Sequence, residues 1–309
     1  MKRLVLTTAM MLGLGLAGVA AHAEGNATEN NIEVRTIRAP RFVRPIVEKW
    51  IVEYAKSEPG VEFRIVGGTT DDIDMNVAYG DTDGTGYVVF FGETAVLPIT
   101  AHNSDAARQL SGKQLNAKKI KQLFFYNEDF DEDSKKNKAF ENLVVYSGSN
   151  ASSVATLFAH NFGEEVSAFR GKRISGDDLF LNTAIAKDPM GVSFNVLANI
   201  FDIDSRLLKK GISLVGLDLK KNVSAAFVDG ATLDDVLTTL EYSRPQEIAI
   251  EKVGIKFKTD DNVVKDFLHW VLIHGTKYNH QYGLLNLDNK EANAQMLKVQ
   301  KNTLTAHNK

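Results

Sequence analysis

The sequence predicts an α/β fold in two lobes, on three observations. Strand-like stretches alternate with helix-like ones through most of the chain. Hydrophobic residues make up 44% of the 309 positions and prolines number only 6, so a large core is expected, with disorder confined to the ends and one loop. Setting aside an N-terminal leader leaves 286 residues, a length that suggests two lobes rather than one.

The leader is residues 1–23. Lys2 and Arg3 supply its positive end, Leu4 to Val19 is apolar, and Ala21-His22-Ala23 is a small-x-small cleavage site, so cleavage after Ala23 is expected. The apolar run is short for a membrane anchor. Cysteine is absent, which excludes disulfides, thiolate metal ligands, a cysteine nucleophile and a lipidated anchor. A soluble exported protein is expected, periplasmic if the producer has two membranes. Loss of the leader takes the formal charge from −3 to −5, and nothing suggests nucleic-acid binding.

After the leader, "NIEVRTIRA" (Asn31 to Ala39) reads as a strand. Val43, Ile46, Val47, Trp50, Ile51 and Tyr54 then fall at helical spacing, with Pro45 tolerated in the first turn. "SEPG" ends that helix, and "VEFRIVGG" is a second strand closed by two glycines. "GDTDGTG" (Gly80 to Gly86) predicts a tight turn before the strand "YVVFFG". As a calcium loop it lacks the glutamate at its twelfth position, where Gly92 stands. "ETAVLPIT" (Glu93 to Thr100) is a buried strand, and "SDAARQLSGKQLNAKKIKQLFF" is two helical stretches broken near Ser111-Gly112. The charged run from Asn127 to Lys138 has no apolar period and reads as a solvated loop. "NLVVYSGSNASSVATLF" is strand, polar turn and helix, with further helices in "SAAFVDGATLDDVLTTLEYS" and "DNVVKDFLHWVLIHGTKYN".

Two strand-to-helix corners carry the chemistry. Ser149, Asn150, Ser152 and Ser153 stand where a helix N-terminus offers free N–H groups, a geometry that suits an oxyanion and equally suits ordinary capping. Arg35, Arg38, Arg41 and Arg44 recur every third position, matching neither strand nor helix, so they spread over different surfaces. Arg41 falls at the corner, where it can grip a carboxylate or phosphate with two hydrogen bonds. Arg35 and Arg44 read as solvated cations paired with Glu33, Glu48 or Glu53. The adjacent Asp71-Asp72 and Asp177-Asp178 point apart in extended chain and make poor acid-base pairs. The histidines show no metal spacing, and His269 and His274, five apart, fall on different helix faces. No nucleophile elbow, P-loop or dinucleotide fingerprint occurs, so neither a catalytic residue nor a cofactor or metal is expected.

Taken together, "RFVRPIVEKWIVEYAKSEPGVEFRIVGG", "ETAVLPITAHNSDAARQLSGKQLNAKKIKQLFF", "GKRISGDDLFLNTAIAKDPMGVSFNVL" and "HGTKYNHQYG" resemble the periplasmic phosphate-binding proteins of ABC transporters and their substrate-binding superfamily. The resemblance implies a type II-like periplasmic binding fold: two α/β lobes joined by two crossover strands, closing on an anion. "AVLPIT" would be the first crossover and "IAIEKVGIKFK" the return. Lobe I would hold residues 24–97 with 250–309, and lobe II residues 98–249. The resemblance also implies a phosphate-like ligand, a membrane ABC permease as partner, and a monomer.

The family's binding motifs match only in part. Arg41-Phe42 stands where the family places threonine and phenylalanine, and Thr69 and Thr70 are the only hydroxyls after the second strand. Tyr146 stands near the place of an arginine, and Asn150-Ala151-Ser152 replaces a Ser-Gly-Thr triplet. Arg41, Phe42, Thr69, Thr70, Ser149, Asn150, Ser152 and Ser153 are therefore the expected ligand residues. Either Arg41, helped by Arg38, restores a cation to an anion site, or the cleft holds something larger or has become a protein-interaction scaffold.

Overall fold

A computed structural model of the chain describes residues 32–68, 72–80, 87–126, 140–149, 154–228, 230–258 and 261–306. The expected strands and helices form in the expected order, while the turn predicted in "GDTDGTG" from Asp81 on and the charged run from Asn127 to Lys138 lie outside the described residues. Strand β1 (Glu33–Arg38) leads through a turn into helix α1 (Arg44–Tyr54), which buries Ile46, Val47, Trp50 and Tyr54. Strands β2 (Val61–Val66) and β3 (Met75–Tyr79) follow, both parallel to β1.

Next comes the 15-residue β4 (Tyr87–Ala101), a single strand where the sequence suggests two. A bulge between Phe90 and Gly92 joins the pieces. Helices α2 (Asp105–Leu110) and α3 (Ala117–Phe124) come after it, separated at the expected break. Ser104 caps the first, accepting from the Ala107 N–H at 3.1 Å, and Asn116 the second, accepting from the Lys119 N–H at 3.0 Å. Then come β5 (Val144–Gly148), α4 (Val154–Asn161), β6 (Lys172–Ile174), α5 (Leu179–Lys187), β7 (Gly191–Val196), the short α6 (Leu197–Ile200) and β8 (Ile212–Leu214). Helices α7 (Lys221–Ser224) and α8 (Leu233–Tyr242), strand β9 (Ala249–Phe257), α9 (Asn262–Trp270) and α10 (Asn289–Ala306) complete the chain.

Among the described residues nine strands form one sheet in the order β2-β1-β3-β9-β4-β7-β5-β6, with β8 paired to the end of β4. Strand β4 joins its two parts. Tyr87 to Val96 pair antiparallel with β9, and Val96 to Thr100 pair antiparallel with β7. The aromatic packing differs on the two sides. Tyr54, Phe63 and Phe267 meet on one, whereas Phe158 and Phe194 stack at 4.2 Å on the other, with Phe124 edge-on to both.

One expectation about the histidines is corrected. The helix after α9 widens into a π turn at Val271–Gly275, and His269 and His274 both line one surface depression of about 510 Å³ beside Trp270. Five residues span a π turn as four span an α turn, which a helical wheel at 3.6 misses. Among the described residues no group of three or more potential ligands could hold a metal ion, and no helix is long and apolar enough to cross a membrane.

Candidate functional site

A cleft of about 970 Å³ opens where the carboxyl ends of β1 and β2 face the N-termini of α4 and α5. Ligands bind at this place in open α/β sheets. From one side it is lined by the turn from Arg38 to Phe42, the first turn of α1, Gly67-Gly68 and β3; from the other by Thr156, Leu157, Gly176, Asp177, Asp178 and Asn199.

Arg41 stands at the mouth with its side chain 65% exposed, 4.0 Å from Asp177. A pair so exposed is weakly held, so the guanidinium is free to turn toward a ligand. Phe42 is buried and stacks on Tyr79, ring centroids 4.9 Å apart and nearly parallel, forming an aromatic wall. Ser149 does not line the cleft: its hydroxyl donates to Ser175 at 3.0 Å and its N–H to the Ile174 carbonyl. Thr69, Thr70, Asn150, Ser152 and Ser153 lie outside the described residues. Of the other arginines, Arg35 pairs with Asp261 at 2.6 Å and Glu33 at 3.2 Å, and Arg44 lies 3.9 Å from Glu48, one helical turn on. Tyr146 is held away from any ligand role by donating to Asp188 at 2.8 Å.

The Arg41 corner offers an anion less than its sequence suggests. Val43 and Arg44 N–H both donate to the Pro40 carbonyl, and Pro45 has no N–H, so the first turn of α1 is poor in free donors.

Asp177 and Asp178 are the residues that sequence reasoning set aside. Gly176 has φ +105°, a backbone region open to glycine. Asp178 is already helical, at φ −60° and ψ −19°. The chain is therefore turning, and both aspartates line the same cleft. Asp177 Oδ1 accepts from the Leu179 N–H at 2.8 Å. Asp178 Oδ2 accepts from the Val154 N–H at 3.1 Å, at the first residue of α4. The helix end where an external anion is expected thus holds a carboxylate of the protein itself.

A ring of amides beneath fixes Asp178. Asn195 donates to its carbonyl at 2.8 Å and to Asn182 Oδ1 at 3.0 Å, while Asn199 donates to Asn195 Oδ1 at 2.9 Å. Burial pushes the Asp178 carboxyl up to about 6, the neighbouring Asp177 raising it further and the Val154 N–H opposing. Burial, with the two aspartates, raises the Tyr79 hydroxyl well above its ordinary value. Among the described lining residues three arginines (Arg38, Arg41, Arg44) meet three carboxylates (Glu48, Asp177, Asp178), so the formal charges balance.

No family model and no curated protein matches the chain. Solved structures do match. A Clostridium perfringens protein, assigned as a phosphate ABC transporter substrate-binding protein and solved with bound phosphate, superposes with a TM-score of 0.58 at 14% identity, covering 83% of this chain and 100% of its own. An ABC-type phosphate transport receptor from Vibrio cholerae gives 0.54 at 12% identity, over 82% and 100%. At these identities the likeness is one of fold. The chain has the two-lobed α/β fold of substrate-binding proteins, and these structural neighbours are transport proteins rather than enzymes.

Proposed function

We propose that the chain is an exported solute-binding protein that takes a small solute bearing an anionic group into the cleft and presents it to a membrane ABC permease. The lobes would be residues 24–97 with 250–309 and residues 98–249, closing on the solute with no bond made or broken. The observation that carries this reading is Arg41, weakly paired at the mouth of a cleft lined from both sides of the sheet. Phosphate is the simplest candidate by likeness of fold. The Asp178 carboxylate at the start of α4 and the cleft's size, near the upper end of the roughly 300–1,000 Å³ common for organic ligands, favour a larger anion-bearing solute.

Binding calorimetry with phosphate and a panel of oxyanions, organic phosphates and carboxylates tests it. At least one should bind, and Arg41→Ala should weaken that binding by about tenfold or more, as for a lost charge-assisted contact. No heat from any compound, or equal binding by the variant, would overturn the assignment.

A further inference from the structure

Two buried oxygens at one end of the cleft have no hydrogen-bond partner: the Tyr79 hydroxyl and Asp178 Oδ1. Neither side chain is placed to swing out to water. Tyr79 is 6% exposed with its ring fixed against Phe42, and Asp178 is tied to Val154 through Oδ2 and to Asn195 through its carbonyl. Leaving such atoms unmet is costly, more so for a charged group, and native structures rarely do so without a reason.

Two carboxylates, Asp177 and Asp178, lie close enough to act on the Tyr79 hydroxyl. A bare oxyanion seated here would face a carboxylate oxygen, a like-charge contact that disfavours binding. An ammonium group fits: it carries three donors, and both aspartates and the phenol oxygen can accept. Arg41 stands beside these acceptors, 4.0 Å from Asp177 and next in the chain to Phe42, which stacks on Tyr79.

We propose that the solute is amphoteric, with a phosphate or carboxylate on Arg41 and an ammonium group on the Asp178 and Tyr79 acceptors next to it. This rests on the solute-binding reading and specifies its ligand class. The neutral balance of lining charges follows from it, because a ligand with both signs needs both signs around it. The buried amide ring beneath Asp178 then has a function, which is to hold the acceptor rigid before the ligand arrives.

Two matched pairs of probes test the inference: phosphoethanolamine against monoethyl phosphate, and β-alanine against propionate. Within each pair the compounds differ only by the ammonium group. By calorimetry near neutral pH, the ammonium member of at least one pair should bind about tenfold or more tighter. Asp178→Asn should shrink that ratio to about threefold or less, and Tyr79→Phe, which keeps the stacking, should shrink it by a smaller factor. Alkyl anions that bind as tightly as their ammonium partners in both pairs would overturn the inference and leave the solute-binding reading standing. A ratio unchanged in both variants would also overturn it. No heat from any of the four probes would overturn the inference, and no heat from the wider panel of anions either would overturn both readings.

Discussion

Asp178 sets a pH dependence that can be worked out in sign. In the folded chain its carboxyl holds its proton to about pH 6, against an ordinary value of 3.8. Between those values the native state binds more protons than the unfolded one, so stability falls as pH rises from about 4 to about 6 and levels off above. The loss from this one group is at most about 3 kcal/mol. Asp178→Asn keeps an acceptor for the Val154 N–H and removes the titration. The variant should therefore be more stable than the parent at pH 7.5, with the gap closing toward pH 4. Urea unfolding at pH 4, 5, 6 and 7.5 measures this, and a gap that widens at low pH would contradict it. The same residue that costs stability at neutral pH is the one we propose as the ligand's acceptor, a common trade at binding sites.

At the scale of elements, the bulge in β4 shows how distant pieces are fitted together. The bulge disrupts the ladder at Phe90, and the Phe90 N–H donates instead to Gln295 of α10 at 3.0 Å, 205 residues away. Gln295 is buried and is itself held by Glu291, one turn earlier on the same helix. Gln295→Leu should leave a buried N–H unmet and destabilise the fold by about 1–3 kcal/mol. A midpoint shift in denaturant without a change of slope would report it, whereas an unchanged midpoint would show that the contact contributes nothing. Nearby, Asn279 donates to the Phe91 carbonyl at 2.8 Å, and Glu93 and Leu285 exchange backbone bonds at 2.9 Å. The C-terminal elements thus anchor the strand that joins the two parts of the sheet.

Across the whole molecule, that strand couples the two sides. β4 pairs with β9 over its first ten residues and with β7 over its last few, so neither group of strands can be lost without exposing an edge of the other. Unfolding is expected to occur in one transition despite the length of the chain, with calorimetric and van't Hoff enthalpies in agreement. Two resolved transitions would show instead that the lobes unfold independently. A ligand present at about 100 times its Kd should raise that single transition by about 2.7 kcal/mol, because it binds only the native form.

Much of the scaffold is legible in the amino-acid sequence. The alternation of periods, the break near Ser111-Gly112, and the spacing of Ile46, Val47, Trp50 and Tyr54 define the elements, because each depends on neighbours within a turn or two. The corner bearing Arg41 and Phe42 is legible for the same reason, and the absence of cysteine settles what chemistry is missing. The site's acceptor end is not legible. Asp178 meets Val154 24 residues back, Tyr79 stacks on Phe42 from a different strand, and Gln295 reaches Phe90 from the far end of the chain. Local periodicity carries no information about which buried polar atoms will face each other. Only the packed fold decides that, and so only the tertiary structure brings two adjacent aspartates, which look unremarkable in sequence, into the lining of one cleft.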